Sequence, residues 1–143
     1  MPFYPDRETL YRVVRALFER VLADPEVLGQ LGQRGLTLRI TVENPSAVVL
    51  LDTRCRPPCY TLDGDPAAEA DIGVRVEADT LHAIWLDRMG LREAHARGLV
   101  RLETNPLKAL GHLMRLAEVF RYLESVYPAV LRAEGLVAEG AEL

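Results

Sequence analysis

The sequence predicts an α+β domain in which a five-stranded, mostly antiparallel sheet carries helices on one face. Two patterns lead to this prediction. Apolar residues recur at helical spacing near both ends of the chain, whereas the middle alternates between apolar and polar residues, as strands with one buried face do. Of the 143 residues, 49% are hydrophobic and 27% charged. We therefore expect residues 1–143 to form one domain that needs no disulfide or metal for stability.

Two helices are predicted at the N-terminal end. Asp6 is a suitable N-cap, and the residues after it place apolar side chains at positions i, i+3, i+4 and i+7. A second, short helix begins at Asp24-Pro25, because Asp caps a helix and Pro fits its first position. Glycines at positions 32 and 35 end this helix.

Alternation of apolar and polar residues predicts the strands. The first covers residues 36–43, and the turn Asn44-Pro45-Ser46 leads into its hairpin partner at 47–52. Shorter strands are expected at 60–62, 72–76 and 99–103. The sheet therefore has one apolar face and one face in water.

Helices also separate and follow the last two strands. Asp79 is a candidate cap for the first of these helices, and a further helical turn at 91–97 stops at Gly98. Asn105-Pro106 begins one long helix whose apolar residues cover an arc of roughly 200° at about 100° per residue. A helix that contacts only one sheet needs a narrower apolar arc than this. Beyond residue 128 we expect a short helix and a frayed end.

The stretch from residue 71 to about residue 116 resembles the sterol carrier protein type 2 family. The likeness consists of the strand 71–76, the helix 79–86, Ala94, Gly98, the strand 99–103 and the segment 108–110. The order of the upstream elements is also that of the family. This resemblance implies a five-stranded sheet with an apolar tunnel under its helices. It also implies non-enzymatic binding or transfer of a fatty acid, an acyl chain or a sterol-like lipid.

Three positions depart from the pattern of that family, one of which is Thr104, in place of a turn glycine. Asp87 stands where the family usually has glycine, and His95 stands where an aromatic residue, commonly Phe, follows the alanine. If His95 faces the cavity, an amphiphile with a hydrogen-bonding head group fits better than a sterol.

Cavity-lining residues are expected on the helix after Asp79, on the inner side of the strand 99–103 and on the wide face of the last helix. Plain core packing is the alternative for each of them. An empty pocket of about 300 Å³ would cost on the order of 7 kcal/mol, so we expect the space to be filled or closed. The predicted lining residues are Leu81, Ile84, Trp85, Met89, His95, Val100, Leu102, Leu110, Leu113, Met114, Ala117 and Phe120.

No catalytic residue, metal or cofactor is predicted. Two prolines between Cys55 and Cys59 favour a spacing of roughly 12 Å between their Cα atoms, beyond the ~7 Å limit for a disulfide. Two free thiols are therefore expected, and a turn that brings them together is the alternative. His82 and His112 are expected on helix surfaces, and the three histidines lack a metal-motif spacing.

Charge and hydropathy limit the partners. The net charge of -4 comes from 21 acidic and 17 dispersed basic residues, which disfavours nucleic-acid binding. No apolar run approaches the roughly 18 residues of a membrane span, so no stable membrane insertion is expected.

The expected partner is a lipid or another hydrophobic small molecule. The alternative is an interaction module in which the same apolar faces form a homodimer, and a hydrolase or thiol enzyme is third. A cytoplasmic location and a bacterial source are also expected.

Overall fold

A five-stranded sheet forms the base of the structure. The computed structural model describes residues 2–32, 35–55 and 58–136. The strands lie in the order β3-β2-β1-β4-β5. Only the β1–β4 pair is parallel among these strands, so the prediction of a mostly antiparallel five-stranded sheet is confirmed. The strands are β1 (Thr37–Glu43), β2 (Ala47–Asp52), β3 (Cys59–Leu62), β4 (Ile72–Glu77) and β5 (Val100–Leu102).

Six helices precede, connect and follow the strands in the described part of the chain. The predicted cap at Asp6 and the predicted helix start at Asn105-Pro106 are confirmed: Asp6 Oδ1 accepts a hydrogen bond from Thr9 N at 2.7 Å, and Asn105 Oδ1 accepts one from Leu107 N at 3.1 Å. None of these helices combines the length and the apolar character needed to cross a bilayer. The helices are α1 (Arg7–Val21), α2 (Pro25–Gly32), α3 (Ala78–Trp85), α4 (Leu91–Ala96), α5 (Pro106–Arg115) and α6 (Ala117–Ala133).

The prediction of one long final helix is wrong, because the chain turns at Leu116 and forms α5 and α6. Each of the two helices buries a face of its own, so no single helix carries the 200° arc. The prediction of a separate short helix beyond residue 128 is also wrong, because α6 runs on to Ala133, and most of the predicted frayed end lies outside the described residues. Pro128 cannot donate to the carbonyl oxygen of Glu124, but α6 continues because buried side chains on both sides of Pro128 hold it in the core.

Asp79 is not the cap of α3. Glu77 occupies the N-cap position, and Asp79 lies in the first turn of the helix. Its Oδ1 accepts a hydrogen bond from Phe3 N at 2.9 Å. Asp79 therefore fastens the N-terminal segment to α3, a contact between residues far apart in sequence.

The apolar face of the sheet comes from alternate residues of neighbouring strands. In the parallel pair, Ile40 of β1 lies beside Val74 of β4, and Val42 lies beside Val76. Val100 of β5 continues the row next to Val76. Helices α1, α3 and α5 contact β2 or β4, and α1 also packs against α6. The core therefore lies between this face and the helices, as the alternation predicted.

Charged residues form a network on the opposite face of the sheet. Glu103 accepts from Arg75 at 2.9 Å and from Arg39 at 3.3 Å, and Glu43 pairs with Arg101 at 3.5 Å. Burial alone would raise the pKa of Glu103, but the bonds to the two arginines outweigh it and lower that pKa. The guanidinium of Arg39 lies directly over Gly73, where a Cβ atom would come within 2.5 Å of its Nη2.

Two Gly→Ala substitutions are expected to change stability in opposite directions. Gly73→Ala should lower the free energy of unfolding by about 1–3 kcal/mol, because the new methyl displaces Arg39 from its partners. Gly111→Ala should raise it by about 0.5–1 kcal/mol, because Gly111 is an exposed position inside α5 with nothing near its Cβ. Urea unfolding measures the change in the free energy of unfolding for each variant. Equal changes in the two variants would contradict the close contact at Gly73.

Candidate ligand-binding cavity

An apolar cavity lies between the sheet and the helices. Its volume is about 100 Å³. The sheet contributes residues of β1, β4 and β5, and the cover comes from α3, α4, α5 and α6. One carboxylate, Glu124, belongs to an otherwise apolar wall. The lining residues are Leu38, Ile40, Val74, Val76, Leu81, Ile84, Trp85, Leu91, Val100, Leu113, Phe120 and Glu124.

Six of the twelve residues predicted to line the cavity do so: Leu81, Ile84, Trp85, Val100, Leu113 and Phe120. They come from four different elements, and the fold brings them together.

The other six residues are absent from the cavity wall: Met89, His95, Leu102, Leu110, Met114 and Ala117. Met114 is 41% exposed, because the end of α5 at Arg115 leaves this side chain on the outer face. His95 turns toward β5, where its Nδ1 lies 3.3 Å from the carbonyl oxygen of Val100. His95 therefore does not face the cavity and is not placed to hydrogen-bond the head group of a ligand there.

Sequence reasoning missed the floor of the cavity and its carboxylate. The floor residues belong to β1 and β4, and their alternation had already placed them on the apolar face. Glu124 follows Phe120 by four residues, a spacing that puts both side chains on one face of a helix. This spacing did not lead to a prediction for Glu124, because residues 106–123 were predicted to form one long helix with a single apolar face.

The cavity is smaller than a typical small-molecule site. Pockets for such ligands start at about 300 Å³. At roughly 24 cal/mol per Å³, an empty space of 100 Å³ costs about 2 kcal/mol, which a stable domain tolerates. The helices therefore leave only a small apolar space above the sheet.

A buried hydrogen-bonded cluster borders the cavity. The hydroxyls of Tyr4 and Tyr127 lie 2.5 Å apart, and Tyr127 Oη lies 2.7 Å from His82 Nδ1. Trp85 meets the ring of Tyr127 edge-on at 5.3 Å. Burial raises the pKa of both tyrosines well above the ordinary value near 10. Both hydroxyls therefore stay protonated at neutral pH and join the N-terminal segment to α3 and α6.

The prediction that His82 lies on a helix surface is wrong. His82 is buried, because Leu81, His82 and Trp85 all face inward from α3. The ring of Phe3 stacks on the imidazole at 3.7 Å. The N-terminal segment thus covers a side of α3 that the helical pattern alone left in water.

The predicted separation of Cys55 and Cys59 is wrong. Both thiols are free, but their sulfur atoms and a carboxylate oxygen of Asp52 all lie within 4.8 Å of one another. The reason is strand pairing: Asp52 of β2 lies opposite Cys59 of β3, so the chain reverses between them. The hydrogen bond between the thiols, together with desolvation, raises the pKa of Cys55 to about 11. Arg54 engages both oxygens of Asp52, at 3.1 and 3.0 Å, which leaves this group poorly suited to a metal ion.

Comparison with known proteins identifies the fold. The sterol carrier protein domain 2 of Helicoverpa armigera aligns with a TM-score of 0.63 and 14% identity over 82% of this chain and 89% of its own. A sterol carrier protein 2 crystal structure aligns with a TM-score of 0.57 and 20% identity over 80% and 92%. The chain has the sterol carrier protein 2 fold. The resemblance inferred from the sequence is thereby confirmed at the level of the fold.

Other comparisons limit the conclusions about function that can be drawn from this fold. A UbiJ-SCP2 ubiquinone synthesis protein aligns with a TM-score of 0.53 and 19% identity over 80% of this chain and 91% of its own. This chain spans only 14% of the length of the inverting sec-alkylsulfatase Pisa1 from a Pseudomonas species, at a TM-score of 0.50. No family model and no curated protein sequence matches.

One departure from the sterol carrier pattern is accommodated without loss of the turn. Asp87 has φ of +59°, in the left-handed region that favours glycine and that Asp tolerates better than most residues. The turn after α3 is therefore kept with a carboxylate in place of the glycine.

Tyr127→Phe is expected to lower the free energy of unfolding by about 1–3 kcal/mol, because it leaves the buried Tyr4 hydroxyl without its partner and removes the bond to His82. Tyr4→Phe should cost less, since Tyr127 keeps its bond to His82. Tyr122→Phe, outside the cluster, is the control for urea unfolding. A cost for Tyr127→Phe no larger than that of the control would disprove the role of the cluster.

Stability should also decline in alkali. The folded-state pKa of Tyr4 and Tyr127 is raised by burial, whereas in the unfolded chain both ionise near pH 10. The contribution of these two tyrosines to the free energy of unfolding is therefore complete below about pH 10. It is lost as the pH rises further, because only the unfolded state releases these protons. Urea unfolding from about pH 8 to about pH 11 should show this decline. The decline should be shallower in the Tyr4→Phe, Tyr127→Phe double variant, and an unchanged slope would refute the assignment.

Proposed function

We propose that the protein binds a hydrophobic or amphipathic small molecule between the sheet and its helical cover, without a catalytic step. The observation that carries this proposal is the apolar cavity beneath α3, α5 and α6, whose floor is the apolar face of β1 and β4. The sterol carrier protein 2 fold supports it. Fatty acids, acyl chains and sterol-like lipids are the ligands expected from the sequence resemblance.

Binding requires only the transfer of apolar groups from water. Each buried methylene contributes about 0.8 kcal/mol, so about nine of them offset the roughly 7 kcal/mol that an empty pocket of about 300 Å³ would cost. A cavity of 100 Å³ holds only part of a lipid, and the rest needs room that the closed form lacks. We therefore propose that α5 and α6 move away from the sheet when a ligand binds, and the turn at Leu116 between them is the natural point of movement. The cytoplasmic location stays a prediction.

A second candidate function is an interaction module, favoured by the outer face of α5. Leu107 is 84% exposed and Met114 is 41% exposed, and their spacing of seven residues places them on the same face. Leu116 is buried and Phe120 lines the cavity, so neither of these two apolar side chains is available for a dimer contact. If α5 forms a homodimer, light scattering should show a dimer that Leu107→Gln converts to a monomer.

Ligand binding can be followed with the only tryptophan of the chain, Trp85, which lines the cavity. Dodecanol added below its solubility limit should change Trp85 fluorescence in a saturable manner, and native mass spectrometry should detect a one-to-one complex. Ile84→Phe, which fills part of the cavity, should weaken binding at least about tenfold. Val126→Phe is the matched control, because Val126 is partly buried outside the cavity.

Two results would contradict the proposal. One is the absence of any complex with dodecanol or with lipids extracted from the expression host. The other is an equal loss of binding in Ile84→Phe and Val126→Phe, because it would place the ligand elsewhere on the molecule.

A further inference from the structure

Glu124 of α6 is the one charged side chain among the residues that line the cavity in the described part of the chain. It follows Phe120 by one helical turn, so the two residues share a face of α6. Among the residues that the structure describes, Glu124 makes neither a salt bridge nor a hydrogen bond. Glu124 thus places a carboxylate acceptor, which has no hydrogen-bond partner among the described residues, on the wall of an otherwise hydrophobic space.

The charges around Glu124 do not neutralise it. Burial raises the pKa of Glu124 and the nearby charge of Asp87 raises it further, while Arg121 has a smaller opposing effect. Arg121 also donates to Glu118 Oε1 at 3.1 Å, so its positive charge is shared. This part of the cavity wall is therefore acidic, although the rest is hydrocarbon.

We propose that Glu124 selects the ligand by its head group, favouring a hydroxyl or ammonium group that donates a hydrogen bond over a carboxylate. This inference rests on the proposed function and narrows its ligand class. A donor beside the carboxylate forms a charge-assisted hydrogen bond in a partly desolvated setting. A second carboxylate adds repulsion between like charges, and Arg121, which already pairs with Glu118, offsets that repulsion only in part. Fatty-acid anions are thus disfavoured among the ligands expected from the sequence.

The test uses three probes that share a dodecyl chain: dodecylammonium, dodecanol and dodecanoate. Each is titrated into the whole protein while Trp85 fluorescence is recorded, with the two ionic probes kept below their micelle concentrations and dodecanol kept below its solubility limit. Dodecylammonium should bind at least about tenfold more tightly than dodecanoate, with dodecanol between them. In Glu124→Gln, which keeps the shape of the side chain, the three affinities should agree within about threefold.

Two further variants separate the local effect of Glu124 from the general acidity of the protein. Glu8→Gln removes the same unit of charge from an exposed position in the first turn of α1, away from the cavity. It should keep the preference for dodecylammonium. Glu124→Lys should reverse the preference in favour of dodecanoate.

The outcomes distinguish the two proposals. Binding of all three probes with equal affinity to the unmodified protein would overturn the selection by Glu124 and leave the binding function standing. A preference that survives in Glu124→Gln would also overturn it, because another group would be responsible. If none of the three probes binds, the binding function itself fails and the selection fails with it.

Discussion

The apolar face of the β1–β4 pair is the constraint on which the rest of the structure depends. These two strands lie side by side near the centre of the sheet, and one face of each is almost entirely aliphatic. That surface must be removed from water, and only the helices can cover it. The positions of α3, α5 and α6, and the space left under them, follow from how well they meet that face.

The helical cover meets the sheet incompletely because separate elements approach it from different directions. Helix α3 enters directly from β4, whereas α5 and α6 return after β5 and turn at Leu116. A residual space of about 100 Å³ costs about 2 kcal/mol, less than the core contributes, so the fold tolerates it. The same imperfect fit that weakens the domain slightly leaves the space in which the proposed ligand would begin to bind.

Polar contacts over long sequence distances fix the edge of this space. The hydroxyl of Tyr4 meets that of Tyr127, and Asp79 accepts from the backbone of Phe3. Together they hold the N-terminal segment over α3 and join it to α6. A buried polar cluster of this kind is stabilising only when its members are hydrogen-bonded, so it also specifies one arrangement of α3 relative to α6.

Local patterns in the sequence determined the strands, the cap at Asp6, the helix start at Asn105-Pro106 and the apolar face of the sheet, because these depend on neighbours within a few residues. They also identified six lining residues, since inward-facing positions follow from periodicity. The tertiary structure alone decided the turn at Leu116, the burial of His82 and the approach of Cys55 to Cys59. It likewise placed Glu124 in the cavity wall and His95 outside it. Each of these depends on where distant segments meet, and hydrophobic periodicity records which side of an element is buried but not what covers it.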